Sequence, residues 1–176
     1  MDTTALRRQY AWNLAYADAL TRDVPPELWA VSGGPGLENH PAWTIGHLIT
    51  GSALVLEGLG GAPGVPDAWT ELFLRRGPGD PRRPDPDAAA YPDRATLMAA
   101  LADLHARVDR RLAELEPAAL QAAEEWRFDG WLPTQGDCLL FMLVSHEGVH
   151  LGQLGCWRRR FELPSAMASM GRGPAG

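Results

Sequence analysis

The chain has 176 residues, of which 45% are hydrophobic, and its 22 acidic and 16 basic side chains give a formal net charge of −6. That length suits one compact domain that can bury a core without disulfides or a structural metal, and the acidic balance argues against a general nucleic-acid binder. All 16 basic residues are arginines, which excludes lysine Schiff-base chemistry and the lysine-dependent phosphate loop.

The periodicity predicts a first helix from about Thr4 to Arg22, with Leu6, Tyr10, Asn13, Ala17 and Leu20 on one stripe. Asn13 is its polar member and reads first as a core hydrogen-bonding residue. After Val24-Pro25-Pro26 a connector rich in glycine leads to Pro41, which suits the first turn of a second helix running to Leu59. This helix is apolar nearly all round and holds Gly46, Gly51 and Gly58, despite the cost of glycine in a helix interior. Close packing on several sides is the expected compensation. Trp43 and His47 share one of its faces by their i,i+4 spacing.

Residues 61–93 read as a long crossover with one or two helical turns around Trp69-Thr70-Glu71-Leu72-Phe73-Leu74. Asp93 caps a third helix carrying Leu97, Leu101, Leu104, Val108, Leu112 and Leu115 at core spacing. His105 falls off that stripe beside Arg107, Asp109 and Arg110, and is expected on a solvated face. A connector over 117–132 precedes Thr134, which with Asp137 forms a capping box for a last helix reaching about Phe161. Arg158-Arg159-Arg160 complement the carboxyl end of that helix. Residues 1–164 form the expected domain, and the small-residue tail 165–176 looks poorly specified.

Cys138 and Cys156 fall on this last helix, about 27 Å apart at the helical rise, so they cannot pair within it. Free thiols fit a reducing compartment. With no basic leader before an apolar run and no stretch of about eighteen apolar residues, a cytoplasmic chain without a membrane partner is expected. Four long amphipathic helices with one long crossover define an all-α four-helix bundle, a fold whose core commonly holds metal or cofactor sites.

The segment His146-Glu147-Gly148-Val149-His150 places two imidazoles one turn apart, so both can approach one ion from the same side. Leu139, Leu143, His146, His150, Leu154 and Trp157 trace one stripe, which turns both histidines toward the core. A single histidine in such a stripe is ordinarily a hydrogen-bonded core residue. Two on one face, with His47 as a third candidate, favour a metal site, because their ring nitrogens need partners. Glu147 sits about 100° around the helix from His146 and reads as a base, a partner to the ligands, or a member of a surface or interhelical salt bridge.

The five residues also fit the His-Glu-x-x-His signature of zinc peptidases. That reading lacks its third ligand, since no histidine follows His150, Glu162 is the only downstream carboxylate, and Gly152 is out of register for the extended form. Three imidazoles without a thiolate suit Zn²⁺, Ni²⁺, Fe²⁺ or Cu²⁺, with zinc or nickel leading and iron behind them.

Three local matches carry a family resemblance: Trp12-Asn13, Trp43-Thr44-Ile45-Gly46-His47-Leu48, and His146-Glu147-Gly148-Val149-His150-Leu151-Gly152-Gln153. On these the chain resembles the DinB-like (YfiT-like) superfamily of small helical metalloenzymes, over roughly residues 4–162. The resemblance implies a three-histidine triad of His47, His146 and His150 inside an up-down-down-up bundle, with the long crossover between helices two and three, and homodimers as a common state. It also implies a metal-dependent enzyme for small molecules, of the kind that uses a low-molecular-weight thiol such as bacillithiol or mycothiol in S-transfer, or of a related hydrolase or isomerase kind. Trp43 and Asn13 are the expected pocket residues, and no catalytic residue is assigned. The alternative of a different class is a bundle that binds a metal or small molecule without catalysis, as a sensor.

Overall fold

Leu97, Leu101, Leu104, Val108 and Leu112 are all essentially inaccessible to solvent, and they make α4 (Arg94–Glu114) the helix on which α1 (Thr3–Thr21) and α2 (Pro41–Gly58) both pack. The computed structural model describes residues 3–75, 80 and 82–171. Asp93 caps α4 as expected, its carboxylate accepting from the Thr96 amide at 2.7 Å. α6 (Glu147–Arg160) closes the arrangement by packing on α1 and α2. The chain is all-helical. Among the described residues it has no β-strand, only an isolated bridge between Ala123 and Thr134.

α2 is buried from Pro41 to Ala53 because α3 (Asp67–Phe73), α4 and α6 all press on it. The expectation that its glycines serve close packing holds at one of three positions. A methyl group at Gly46 would overlap the Phe73 ring, one at Gly51 would make ordinary contact with His146, and one at Gly58 would meet open space. The crossover contains α3 (Asp67–Phe73) and a 3₁₀ turn over Ala88–Ala90, and α3 brings Phe73 onto α2.

The last helix is not one regular α-helix. Thr134 and Asp137 form the expected capping box for α5 (Gln135–Leu140), a π-helical segment follows over Phe141–His146, and α6 continues from Glu147. The wide turn shifts the register, so the buried line runs through Leu139, Leu143, Glu147, Leu151 and Leu154. His146 and His150 therefore lie at the edge of the core, half-buried, rather than at its centre.

Three further expectations are corrected. His105 is buried, at 4% exposure, because α4 packs against α1 as well as α2 and so needs a wider apolar face than one stripe. Arg158 does more than complement a helix end. It is buried, forms a two-pronged pair with Asp23 at 2.6 and 2.9 Å, and donates to the carbonyls of Leu20 and Pro164. The tail is ordered at its start, where α7 (Ala166–Ser169) seats the buried Ala166 against α1; residues 172–176 lie outside the described residues. Both cysteines are free, and no helix among the described residues is long and apolar enough to cross a membrane.

Candidate metal centre

His40 begins α2 by accepting the Trp43 amide on its Nδ1 at 3.2 Å, with Pro41 in the first turn. This start sets the faces of the helix. Trp43 and His47, one turn apart, stack with ring centroids 4.8 Å apart. The Phe73 carbonyl at the end of α3 lies 2.9 Å from His47 Nδ1. A carbonyl only accepts, so Nδ1 carries the proton and Nε2 keeps its lone pair for an ion.

The other two histidines come from the junction of the π segment and α6. His146 Nε2 lies 3.2 Å from His47 Nε2, and the ring of His150 is 4.5 Å from that of His47 and 4.7 Å from that of His146. One ligand atom from each of the three lies within 4.8 Å of the others. Two imidazole nitrogens bound tetrahedrally to zinc are about 3.3 Å apart at ordinary bond lengths, so the His47–His146 spacing already suits such an ion. His150 Nδ1 is 3.2 Å from Gln153 Oε1, which also accepts from Asn39 Nδ2 at 3.3 Å. That acceptor orients His150 as the Phe73 carbonyl orients His47.

Burial keeps these imidazoles neutral and ready to bind. It pushes His47 down to about 4, with neighbouring His146 and Arg75 adding to the effect and the Phe73 carbonyl opposing it. Burial likewise brings His150 down to about 3, helped by the other two histidines, and lowers His146.

The three rings line a cleft of about 400 Å³ whose walls include Trp43, Asn39 and Arg75. Trp43 is thus where a pocket residue is expected. Asn13 is not among the lining residues. It is buried in α1, its Nδ2 donates to the Leu143 carbonyl inside the π segment at 3.0 Å, and its Oδ1 faces Gln9 at 3.5 Å. Glu147, next in sequence to His146, faces the opposite way. Its Oε1 meets His105 Nε2 at 3.1 Å and accepts from Ser52 at 3.4 Å. The interhelical pair expected for Glu147 exists, in the core rather than at the surface.

The sequence reading missed Phe73, Gln153 and Arg75 as contributors to the site. Gln153 carried a usable signal, three residues after His150. A second cavity of about 260 Å³ lies between α2 and α5, lined by Leu54, Trp126, Cys138 and Met142. Burial, with Glu124 nearby, pushes the Cys138 thiol up to about 11, so it is not a ready nucleophile there.

An all-helical fold carrying three convergent, neutral imidazoles on one cleft defines a candidate metal-binding helical protein. The family model of the DinB superfamily matches residues 9–154, which spans all three histidines, and the chain belongs to that superfamily. Neither a curated protein nor a solved structure matches the chain significantly. Membership and the three-histidine cluster are compatible with a metal-dependent enzyme.

Proposed function

We propose that the protein is a divalent-metal-dependent enzyme of small-molecule metabolism, with His47, His146 and His150 as its ligands and zinc or nickel as the leading ion. The supporting observation is that three imidazoles from two distant segments bring ligand atoms within 4.8 Å of one another on a cleft large enough for a small molecule. An ion held by these three imidazoles would supply Lewis-acid chemistry, lowering the pKa of a water or thiol in the cleft. The reaction we favour is thiol-dependent S-transfer of the bacillithiol or mycothiol type, or a related hydrolysis or isomerisation. The up-down-down-up order of the bundle, a homodimeric state and a cytoplasmic location belong to the same proposal.

The side chains divide the work. His47 and His150 are fixed in one tautomer by Phe73 and Gln153, so both present Nε2 toward the cleft. Trp43 forms a flat apolar wall beside His47, able to shield a bound group from water. Asn13 acts at one remove, by holding the carbonyl of Leu143 three residues before His146.

Elemental analysis of the purified chain, beside His47→Ala and His150→Ala, tests the reading. Near-stoichiometric metal in the wild type and its loss in both variants is expected, followed by turnover of electrophiles with bacillithiol or mycothiol. Equally little metal in all three proteins overturns the site. Bound metal without turnover across thiols and esters favours a sensor.

A further inference from the structure

We propose that Arg75 is the anion-recognition residue of this cleft, so that the molecule held beside the three histidines carries a carboxylate or phosphate group. The inference rests on the metal-centre reading for where the reacting part of that molecule lies.

Arg75 follows α3 by two residues and lies over the Trp43 indole, its guanidinium carbon 4.7 Å from the ring centroid. Trp43 in turn stacks on His47, so guanidinium, indole and imidazole form one pile along the cleft wall. The Nη2 atom of Arg75 is buried and has no hydrogen-bond partner among the described residues. A buried donor on a permanently charged group is rarely left unpaired in a native protein, and such a group at a cleft is the usual recognition element for a planar oxyanion.

The neighbouring charges point the same way. The Asp80 carboxylate is engaged by Arg82, through contacts of 2.6 and 3.0 Å, and Arg82 also donates to the Leu74 carbonyl at 2.9 Å. Asp80 and Arg82 therefore largely offset each other, and among the described lining residues Arg75 leaves the cleft with an excess of positive charge. Burial and the nearby Arg82 disfavour its charged form more than Asp80 and Tyr91 favour it, and an incoming anion would relieve the difference. The three histidines are neutral, so they supply no negative charge to a divalent ion. In a chain of formal net charge −6, this cleft is locally positive and would gather anions.

Two thiols that differ only in one end group separate this role from simple packing on Trp43. The full chain, loaded with Co²⁺, is titrated with 3-mercaptopropionate and with 3-mercaptopropan-1-ol, following the sulfur-to-cobalt charge-transfer band and the heat of binding. We expect the carboxylate thiol to bind the wild type about tenfold more tightly or better. Arg75→Gln should abolish that difference while leaving the alcohol's affinity unchanged, and Arg75→Lys should retain part of it. Equal affinities in the wild type, or a preference that survives Arg75→Gln, overturn the proposal. So does an equal loss for both thiols in Arg75→Gln, which is what a packing role predicts.

Calorimetry of the metal-free chain with acetate and with inorganic phosphate supplies the independent arm. Binding of either that is lost in Arg75→Gln, at an unchanged melting temperature, supports the role, and the tighter of the two identifies the oxyanion. Binding of neither, or binding indifferent to Arg75, overturns it. Failure of the chain to take up Co²⁺ would sink the metal-centre reading and leave this arm to decide Arg75.

Discussion

Glu147 Oε1 lies 3.1 Å from His105 Nε2, in the centre of the packed helices and one residue from a histidine that faces the cleft. The pair joins α6 to α4. Ser52 from α2 donates to the same oxygen, Tyr10 from α1 donates to Ser52, and the Tyr10 ring stacks on His105 with centroids 3.6 Å apart. Burial, reinforced by Glu147, holds the Tyr10 phenol well above its ordinary range, so it stays protonated and can begin this chain. Helices α1, α2, α4 and α6 are thus linked through one carboxyl group, one residue from His146.

Glu147→Ala should remove that shared acceptor and open a cavity, destabilising the metal-free protein by about 2–4 kcal/mol. Glu147→Gln keeps the shape and one acceptor oxygen and should cost less than half as much. Urea midpoints for the two variants check this. Equal, near-zero effects would show that the network does not hold the helices.

Gln153→Ala removes the acceptor behind His150 without touching the core. Metal affinity should fall by about tenfold, the lower end of the usual effect of such partners. The melting temperature of the metal-free chain should barely change, because Gln153 is exposed. A competition titration with a chromogenic chelator reads the first quantity and calorimetry the second.

Gly46→Ala places a methyl group into the ring of Phe73, the fully buried residue whose carbonyl orients His47. A loss of about 1–3 kcal/mol is expected from overpacking. Metal affinity should fall with it. Gly58→Ala, in open space on the same helix, should instead be neutral or stabilising, and makes the control.

His40, His47 and His150 are all held neutral by burial, His40 and His47 down to about 4 and His150 to about 3. In the unfolded chain each takes up a proton as the pH falls below about 6.5. Between that value and about 4 the unfolded state binds more protons than the folded one, so stability is complete above pH 6.5 and declines as the pH falls through this window. Melting temperatures of the metal-free chain at pH 7.5, 6 and 5 should fall in that order. His146, which burial also lowers, adds to the decline, and His40→Asn, which preserves an acceptor for the Trp43 amide, should flatten it by removing one of these four groups.

The helices and the three clustered histidines were legible in the sequence because both follow short-range periodicity. The caps at Asp93 and Thr134, the stripe of α4, and the one-turn spacings of Trp43 with His47 and of His146 with His150 are local facts of a helix, independent of what packs on it. His105 shows where that reading stops. Met98, Leu101, His105, Val108 and Leu112 also form a regular stripe, but nothing in the sequence says that α1 would cover it.

Contacts between distant segments were decided only by the tertiary structure. The crossover brings Phe73 to His47 and Arg75 to Trp43 through residues without any repeating pattern, and the π segment shifts the register of the last helix by a turn width that no apolar spacing announces. Periodicity encodes which face of a helix is buried. Which side chain and which backbone carbonyl meet across that buried face depends on how every other helix packs.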